Sequence, residues 1–429
     1  MIVHRPEVSE SAEEATVTAA VEVESVPKAY PAAVWFAFPR SVGGFLSDRG
    51  DAFAAALLPV AMRLGEPLDV RAEVSYRLAR GLREYQWFQT VWKPDFFREV
   101  PLRFATLAER DPAGGTGAVG SSFSGGVDSF HTLWTHLADN EPYPPFRITH
   151  TLLINGFDPD SDLAGTGSFG AIRRLYGAMM ERLGVRLVPV RTNLLEFYGF
   201  DVQKQAFAAF VTAPALALGT LLSRFYVPSS YLFTDLGPFP DGSHPAFDHL
   251  LSTESMETIH DSGHLSRVAK TLAIARWPET FDLLRVCLRP TGLQAGRDAV
   301  ANCCTCEKCV RTMTTLHVAG ELGSFRCFPQ PLHRRTIRRA DYSHVGARPF
   351  ARELMAYAAR EGRRDVVHDL RLAVAHSVLY RGWSRSLMLA SYRLEQRSPA
   401  YAAVVRPVKR RIQKTGLGGG WLYEPPRVR

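Results

Sequence analysis

Long apolar runs are missing from this 429-residue chain. No stretch approaches the roughly 18 to 20 residues that a membrane-spanning helix needs, so a helical membrane protein is not expected. The opening segment, MIVHRPEVSESAEEATVTAAVEVESVP, is acidic and lacks the apolar h-region of a secretory signal. The cytoplasm is the expected compartment. Cysteine is scarce: there are six, too few for a disulfide scaffold, and four of them crowd into residues 303–309. In a cytosolic chain such crowding suggests metal. Internal repeats and long low-complexity segments are absent as well, which argues against a solenoid.

What is present is ordinary for a globular protein: 46% hydrophobic and 22% charged residues. The length suggests two or three domains. Charge is unevenly placed. Residues 331–429 hold 21 Lys and Arg against 7 Asp and Glu, whereas the first 330 residues hold 30 against 36. The basic last quarter fits either a solvated helical face with a frayed tail or a footprint for RNA, an acidic partner or anionic lipid.

Periodicity divides the chain into four parts. Residues 1–26, rich in Glu and poor in aromatics, read as a disordered acidic tail. Residues 27–110 read as a small α+β lobe, with strand-like AVWFAF and DVRAEVSYRL and an aromatic stretch from Tyr85 whose rings suit a core better than a ligand platform. From 111 to 329 strands and helices alternate. GAVGSSF, THTLLING, VRLVPV, SSYLFTD and LLRVCL (283–288) are the expected strands. Asp128–Leu137, Phe169–Leu183 and the nearly all-apolar 204–223 are the expected helices. This pattern predicts an α/β fold, a parallel sheet with helices on both faces, and ligands at the carboxyl ends of its strands. Residues 330–429 read as a basic helical region.

Ser124-Gly125-Gly126-Val127-Asp128-Ser129 joins the first of these strands to the first helix. The two glycines permit a tight turn and close approach of backbone N–H groups to an anion. The helix N-terminus behind them adds positive potential, and Ser124 and Ser129 add hydroxyl donors. Asp128 makes sense amid phosphates if it holds Mg²⁺. The loop has neither the G-x-x-x-x-G-K-[ST] nor the G-x-G-x-x-G spacing, so Walker-type and dinucleotide-type binding are disfavoured.

This stretch resembles the PP-loop signature of the ATP pyrophosphatase superfamily, matching it at all six residues. The resemblance implies a nucleotide-binding fold of the adenine nucleotide alpha hydrolase-like (HUP) type. It also implies cleavage of ATP between its α and β phosphates, with a substrate oxygen becoming adenylated, pyrophosphate resting in the loop, and a nucleophile then displacing AMP. By the same analogy Asn155 and Asp158, at the end of the second strand, lie where base and ribose would sit; Asp158 equally suits the start of a loop.

Cys303, Cys306 and Cys309 read C-x-x-C-x-x-C, with Cys287 upstream, a soft ligand set that suits tetrahedral zinc. An iron–sulfur cluster is the alternative metal, and Cys304 is an alternative to Cys303. Cys327 reads as a buried thiol, and a persulfide role for Cys304 or Cys327 is a minor alternative. Together the two motifs resemble the 7-cyano-7-deazaguanine synthase family over residues 117–320. The tail of the motif is Cys303-Cys-Thr-Cys-Glu-Lys-Cys-Val-Arg311, with Cys304 where that family has glycine. The resemblance implies that a helix lysine reaches the phosphates; Lys270, with Arg267 as second cation, matches, although a surface pair is the competing explanation. His244, Asp248, Glu254 and Glu257 lie in a polar segment with possible substrate or general-base roles.

The expected activity is an ATP-dependent, AMP-forming ligase with ATP, Mg²⁺ and Zn²⁺. It acts on a small-molecule acid and takes nitrogen from ammonia, an amine or a partner, since no glutaminase signature is visible. The alternatives are a tRNA-modifying (thiolating) enzyme gripping RNA through the basic C-terminal region, and a non-catalytic nucleotide-binding protein.

Overall fold

A computed structural model describes residues 1–25, 30–109, 115–155, 168–236, 241–287 and 299–379. Its strands are β1 (Ile2–Val3), β2 (Glu7–Glu10), β3 (Glu14–Glu22), β4 (Ala33–Pro39), β5 (Leu68–Ser75), β6 (Leu102–Ala108), β7 (Ala118–Ser122), β8 (His150–Asn155), β9 (Arg186–Thr192), β10 (Leu222–Pro228) and β11 (Glu257–Asp261). The helices are α1 (Asp51–Leu64), α2 (Tyr76–Trp92), α3 (Val127–Thr135), α4 (Ser168–Arg182), α5 (Leu194–Gln205), α6 (Phe207–Ala217), α7 (Phe233–Leu236), α8 (Arg267–Ala273), α9 (Glu279–Leu283), α10 (Glu307–Val318), α11 (Arg334–Arg338) and α12 (Arg348–Arg360). Residues 364–379 are also helical.

The strands form one sheet in the order β11-β10-β7-β8-β9-β4-β3-β1-β5-β6, with β2 on β3. From β11 to β9 every pairing is parallel. These strands are apolar at successive positions because both of their faces are covered. Leu152, Ile154, Val188, Val190, Phe225 and Val227 enter one core with α1, α5 and α6. Their neighbours Leu153, Leu187 and Tyr226 face a second core with α3, α4 and α10. The expected α/β architecture with helices on both faces is thus present. Chain order reverses at β7, which pairs with β8 on one side and β10 on the other. Such a switch point opens a crevice at the carboxyl ends of the strands, and β7 ends at Ser122, two residues before Ser124.

Several expectations are corrected. Residues 1–26 are not a disordered tail: β1, β2 and β3 lie in the sheet. Ala15, Val17, Ala19 and Val21 of β3 are buried at every second position, a period of two hidden among glutamates and threonines. Nor is the 27–110 segment a lobe apart. Phe36 of β4 pairs with Thr192 of β9 and lies in the same core as α6. The fourth parallel strand is Leu222–Pro228 rather than 229–235, because α6 stops at Ala217 and Gly219 takes a left-handed φ of 52°. Thr234 and Asp235 therefore sit in the short α7. The fifth strand is β11, and residues 284–287 carry no strand. Glu257, expected in a loop, opens β11. Trp87, expected in the core, is 54% exposed on α2. Asp158 and residues 380–429 lie outside the described residues. No helix among the described residues is long and apolar enough to cross a membrane.

Sharing of one core has a measurable consequence. Phe36 is fully buried, with its ring 5.6 Å from that of Phe53. Phe36→Ala should cost about 3–5 kcal/mol. Urea unfolding followed by circular dichroism should show a single transition that shifts as a whole; two transitions, only one of them shifted, would mean separate lobes.

Candidate functional site

The loop after β7 is held by close backbone packing. Gly125 has φ of 77°, and a Cβ built on it would lie 1.7 Å from Tyr176 Oη, so only glycine fits. The Gly125 carbonyl accepts a 2.6 Å hydrogen bond from Arg285 N–H, and Tyr176 Oη donates to the Leu283 carbonyl at 3.1 Å. Gly126 N–H donates to Ser124 Oγ at 3.3 Å, Ser124 N–H donates to Ser129 Oγ at 3.3 Å, and Ser129 Oγ donates to the Gly126 carbonyl at 3.1 Å. Gly126 precedes Val127 as N-cap of α3, so the first N–H groups of that helix have no intrahelical acceptor. Asn155 is buried at the end of β8, the neighbouring strand.

Three of the expected charged residues converge here. Asp128 Oδ2 is 2.7 Å from Arg267 Nη2, and its Oδ1 is 4.0 Å from Lys270 Nζ. Lys270 is 1% exposed and donates to the Ser229 carbonyl at 2.7 Å and to Ser229 Oγ at 2.6 Å. Burial lowers the Lys270 pKa, with Asp128 pulling the other way. Asp128 Oδ1 is buried and accepts no hydrogen bond among the described residues. Such an oxygen suits a hard cation. Lys270 is therefore a buried member of the site and not half of a surface pair.

Sequence reasoning missed the residues that complete this wall. Ser229 follows β10 and meets Lys270. Asp261, at the end of β11, accepts from Thr132 Oγ1 at 2.6 Å and Ser262 Oγ at 2.8 Å, and lies 3.1 Å from His136 Nε2. Burial would raise its pKa, but these partners hold it down to about 2. His136 is flanked on its other side by Glu141, 3.1 Å from Nδ1. Burial acts to lower the His136 pKa, and the two carboxylates override it, so the pKa lies above 6.5. Phe350 of α12 lies under both Arg267 and Arg311, with guanidinium carbons 5.2 Å and 3.9 Å from the ring centroid. Only the Arg-rich character of the C-terminal region hinted at this, since an aromatic on a helix looks like core.

The other candidates fall elsewhere. Asp248 is fully buried, accepts from Ser243 Oγ at 2.6 Å and lies 2.8 Å from His260 Nδ1. His244 packs its ring 4.7 Å from Trp92. Glu254 accepts from Arg77 N–H at 2.7 Å, and Glu257 pairs with Arg224 at 3.4 Å.

The cysteines form a second centre. Sγ atoms of Cys287, Cys303, Cys306 and Cys309 all lie within 4.8 Å of one another, with Cys303 to Cys309 at 3.8 Å and Cys306 to Cys309 at 3.4 Å. A tetrahedron with Zn–S bonds of about 2.3 Å spaces its sulfurs by roughly 3.8 Å, so the set fits a single ion. Buried Asn302 positions Cys287: its Oδ1 accepts from Val286 N–H at 3.0 Å and Cys287 N–H at 3.2 Å. Cys304 stands apart. It adopts φ of 57°, and its thiol donates to the Asn302 carbonyl at 3.3 Å inside the core. The left-handed turn there carries the chain from Cys303 to Cys306, which settles the choice between neighbours in favour of Cys303.

The centres are joined. Cys306 is the N-cap of α10, which bears Arg311, and Cys287 lies two residues beyond Arg285, which binds Gly125. No protein-family model, curated protein or solved structure matches this chain.

Two expectations follow. Stabilisation by charged His136 is complete below pH 6.5, where the unfolded histidine is also protonated, and fades as pH rises through the higher folded value. His136→Gln should thus cost about 1.5–3 kcal/mol at pH 6 and clearly less at pH 8.5 by denaturant midpoint; equal losses would contradict this charge assignment. Purified protein should carry about one metal ion per chain by mass spectrometry of the elements. Cys306→Ser should lose the ion and Cys304→Ser should keep it.

Proposed function

We propose that the chain is an ATP-dependent, AMP-forming ligase of the PP-loop type, acting on a small-molecule acid. One observation carries the reading: the Ser124–Ser129 loop lies at the sheet's switch point with Arg267 and buried Lys270 aimed at the same carboxylate. A site for neutral ligands has no use for that concentration of donors and cations.

In this reading an acceptor oxygen attacks the α-phosphorus of ATP. The bond from that phosphorus to the bridging oxygen breaks, and pyrophosphate leaves. The loop N–H groups and the hydroxyls of Ser124 and Ser129 hold the departing group, while Arg267 and Lys270 offset its developing charge. Ammonia or an amine then displaces AMP, forming an amide from an adenylated carboxylate or an amidine from an adenylated amide; an adenylated primary amide that instead expels AMP and loses its N–H proton gives a nitrile. Asp128 is the residue that would hold Mg²⁺, which supplies further neutralisation of phosphate oxygens. Zn²⁺ on the four thiolates would have a structural part, because all four protein ligands are filled and no open position is left for substrate. Thiol transfer to RNA is the less favoured chemistry: Cys304 and Cys327, the thiols outside the cluster, are 2% and 0% exposed.

The test is product identity. Protein is incubated with Mg·ATP and, separately, small-molecule and RNA fractions of host extract. AMP and pyrophosphate are expected with the small-molecule fraction, and Asp128→Asn should lower the rate by about 10²-fold or more at unchanged thermal midpoint. ADP and phosphate as products would sink the proposal. AMP formed only with RNA would transfer it to a tRNA enzyme.

A further inference from the structure

Next to the phosphate loop stand two cations, Arg311 and Lys308, that the ligase chemistry above leaves unused, with Arg267 between them and the loop. Arg311 lies on α10 with its side chain only 7% exposed. It pairs with Glu307 at 3.1 Å, one helical turn back. Its Nε is buried and has no hydrogen-bond partner among the described residues, and the same is true of Arg267 Nε. A buried guanidinium N–H without an acceptor is costly and calls for an explanation. Lys308, three residues before Arg311 and on the same helical face, is solvent-exposed.

The arrangement is rigidly supported. Phe350 separates the two guanidinium groups and stacks on Tyr231, with centroids 4.9 Å apart. Glu353, one turn along α12, accepts from Val268 N–H at the start of α8. Arg267, Lys270, Lys308 and Arg311 thus stand among Asp128, Asp261, Glu307 and Glu353, of which Glu353 is already engaged by backbone and Asp261 by Thr132, His136 and Ser262.

We propose that Arg311 and Arg267, with Lys308 at the rim, form a second oxyanion subsite beside the phosphate loop, which takes the carboxylate or phosphate-like group of the acceptor. Planar guanidinium forks suit such groups through paired hydrogen bonds. Assignment to the acceptor rests on the ligase reading; the existence of the subsite does not.

The test uses the full chain in isothermal titration. Mg²⁺ and inorganic pyrophosphate are first brought to saturation, and inorganic phosphate is then titrated as probe. Wild-type protein should still bind one phosphate per chain. Arg311→Gln should weaken that binding about tenfold or more, while pyrophosphate affinity moves by less than about threefold. Lys308→Ala, a change at an exposed position, should weaken it severalfold and reduce its salt dependence, and it decides the matter if the Arg311 variant does not fold. Phosphate binding that vanishes once pyrophosphate saturates would overturn the proposal, since the cations would then belong to the loop. Unchanged phosphate affinity in the variants would overturn it equally. Absence of pyrophosphate binding, with phosphate binding that still depends on Arg311, would sink the ligase reading and leave the subsite standing.

Discussion

The buried ammonium of Lys270 sets the terms on which the rest of the site is built. Removing such a charge from water costs several kcal/mol unless partners replace the lost solvation. Its partners come from two separate elements: the Ser229 carbonyl and hydroxyl beyond β10 and, farther off, the Asp128 carboxylate in the first turn of α3. The end of β10, helix α3 and helix α8, which carries the lysine, are therefore tied together by electrostatics as well as by packing. An arriving polyanion would meet a cation that is already fixed in place, which is the condition under which electrostatic stabilisation is large.

The cysteine centre extends the same logic through covalent geometry. An ion held by Cys287, Cys303, Cys306 and Cys309 fastens α10 to the segment 284–287. That segment in turn touches the Ser124–Ser129 loop through Arg285 and Gly125. Metal binding of this kind contributes folding free energy, on the order of 10 kcal/mol in small zinc sites. Here it would be spent on two elements with little regular structure to hold them: a strandless segment and the N-terminus of a helix capped by a cysteine with no side-chain cap bond. A metal held there would brace the loop and the helix of Arg311 at once.

Much of this was legible from sequence, and the limits have physical causes. The parallel half of the sheet announces itself because its strands are apolar on both faces and alternate with amphipathic helices. The strands at 2–22 were hidden, since a strand that is buried on one face and edged with glutamate has the composition of a disordered tail. The boundary of β10 was misplaced because an all-apolar helix running into a strand offers no change of hydrophobicity, only Gly219. The loop and the cysteines were legible because their chemistry is local in sequence. Ser229, Asp261, His136 and Phe350 were not: Ser229 meets Lys270 across 41 residues, and Asp261 meets His136 across 125 and Thr132 across 129. Such pairings exist only once the fold is made.

The C-terminal segment shows how a charge count can mislead about purpose. Residues 331–379 hold ten arginines against five acidic residues. Arg334 and Arg338 both pair with buried Asp369, Arg363 pairs with Asp365, and Arg352 lies 3.7 Å from Asp235. Those four cations are occupied within the fold, whereas Arg335, Arg339, Arg348, Arg360, Arg364 and Arg371 are solvent-exposed. The segment's contribution to the site is apolar and structural: a phenyl ring between two guanidinium groups and a carboxylate on the backbone of α8. An aromatic face there stabilises both cations without neutralising them. Their counter-charges come from elsewhere, Asp128 for Arg267 and Glu307 for Arg311.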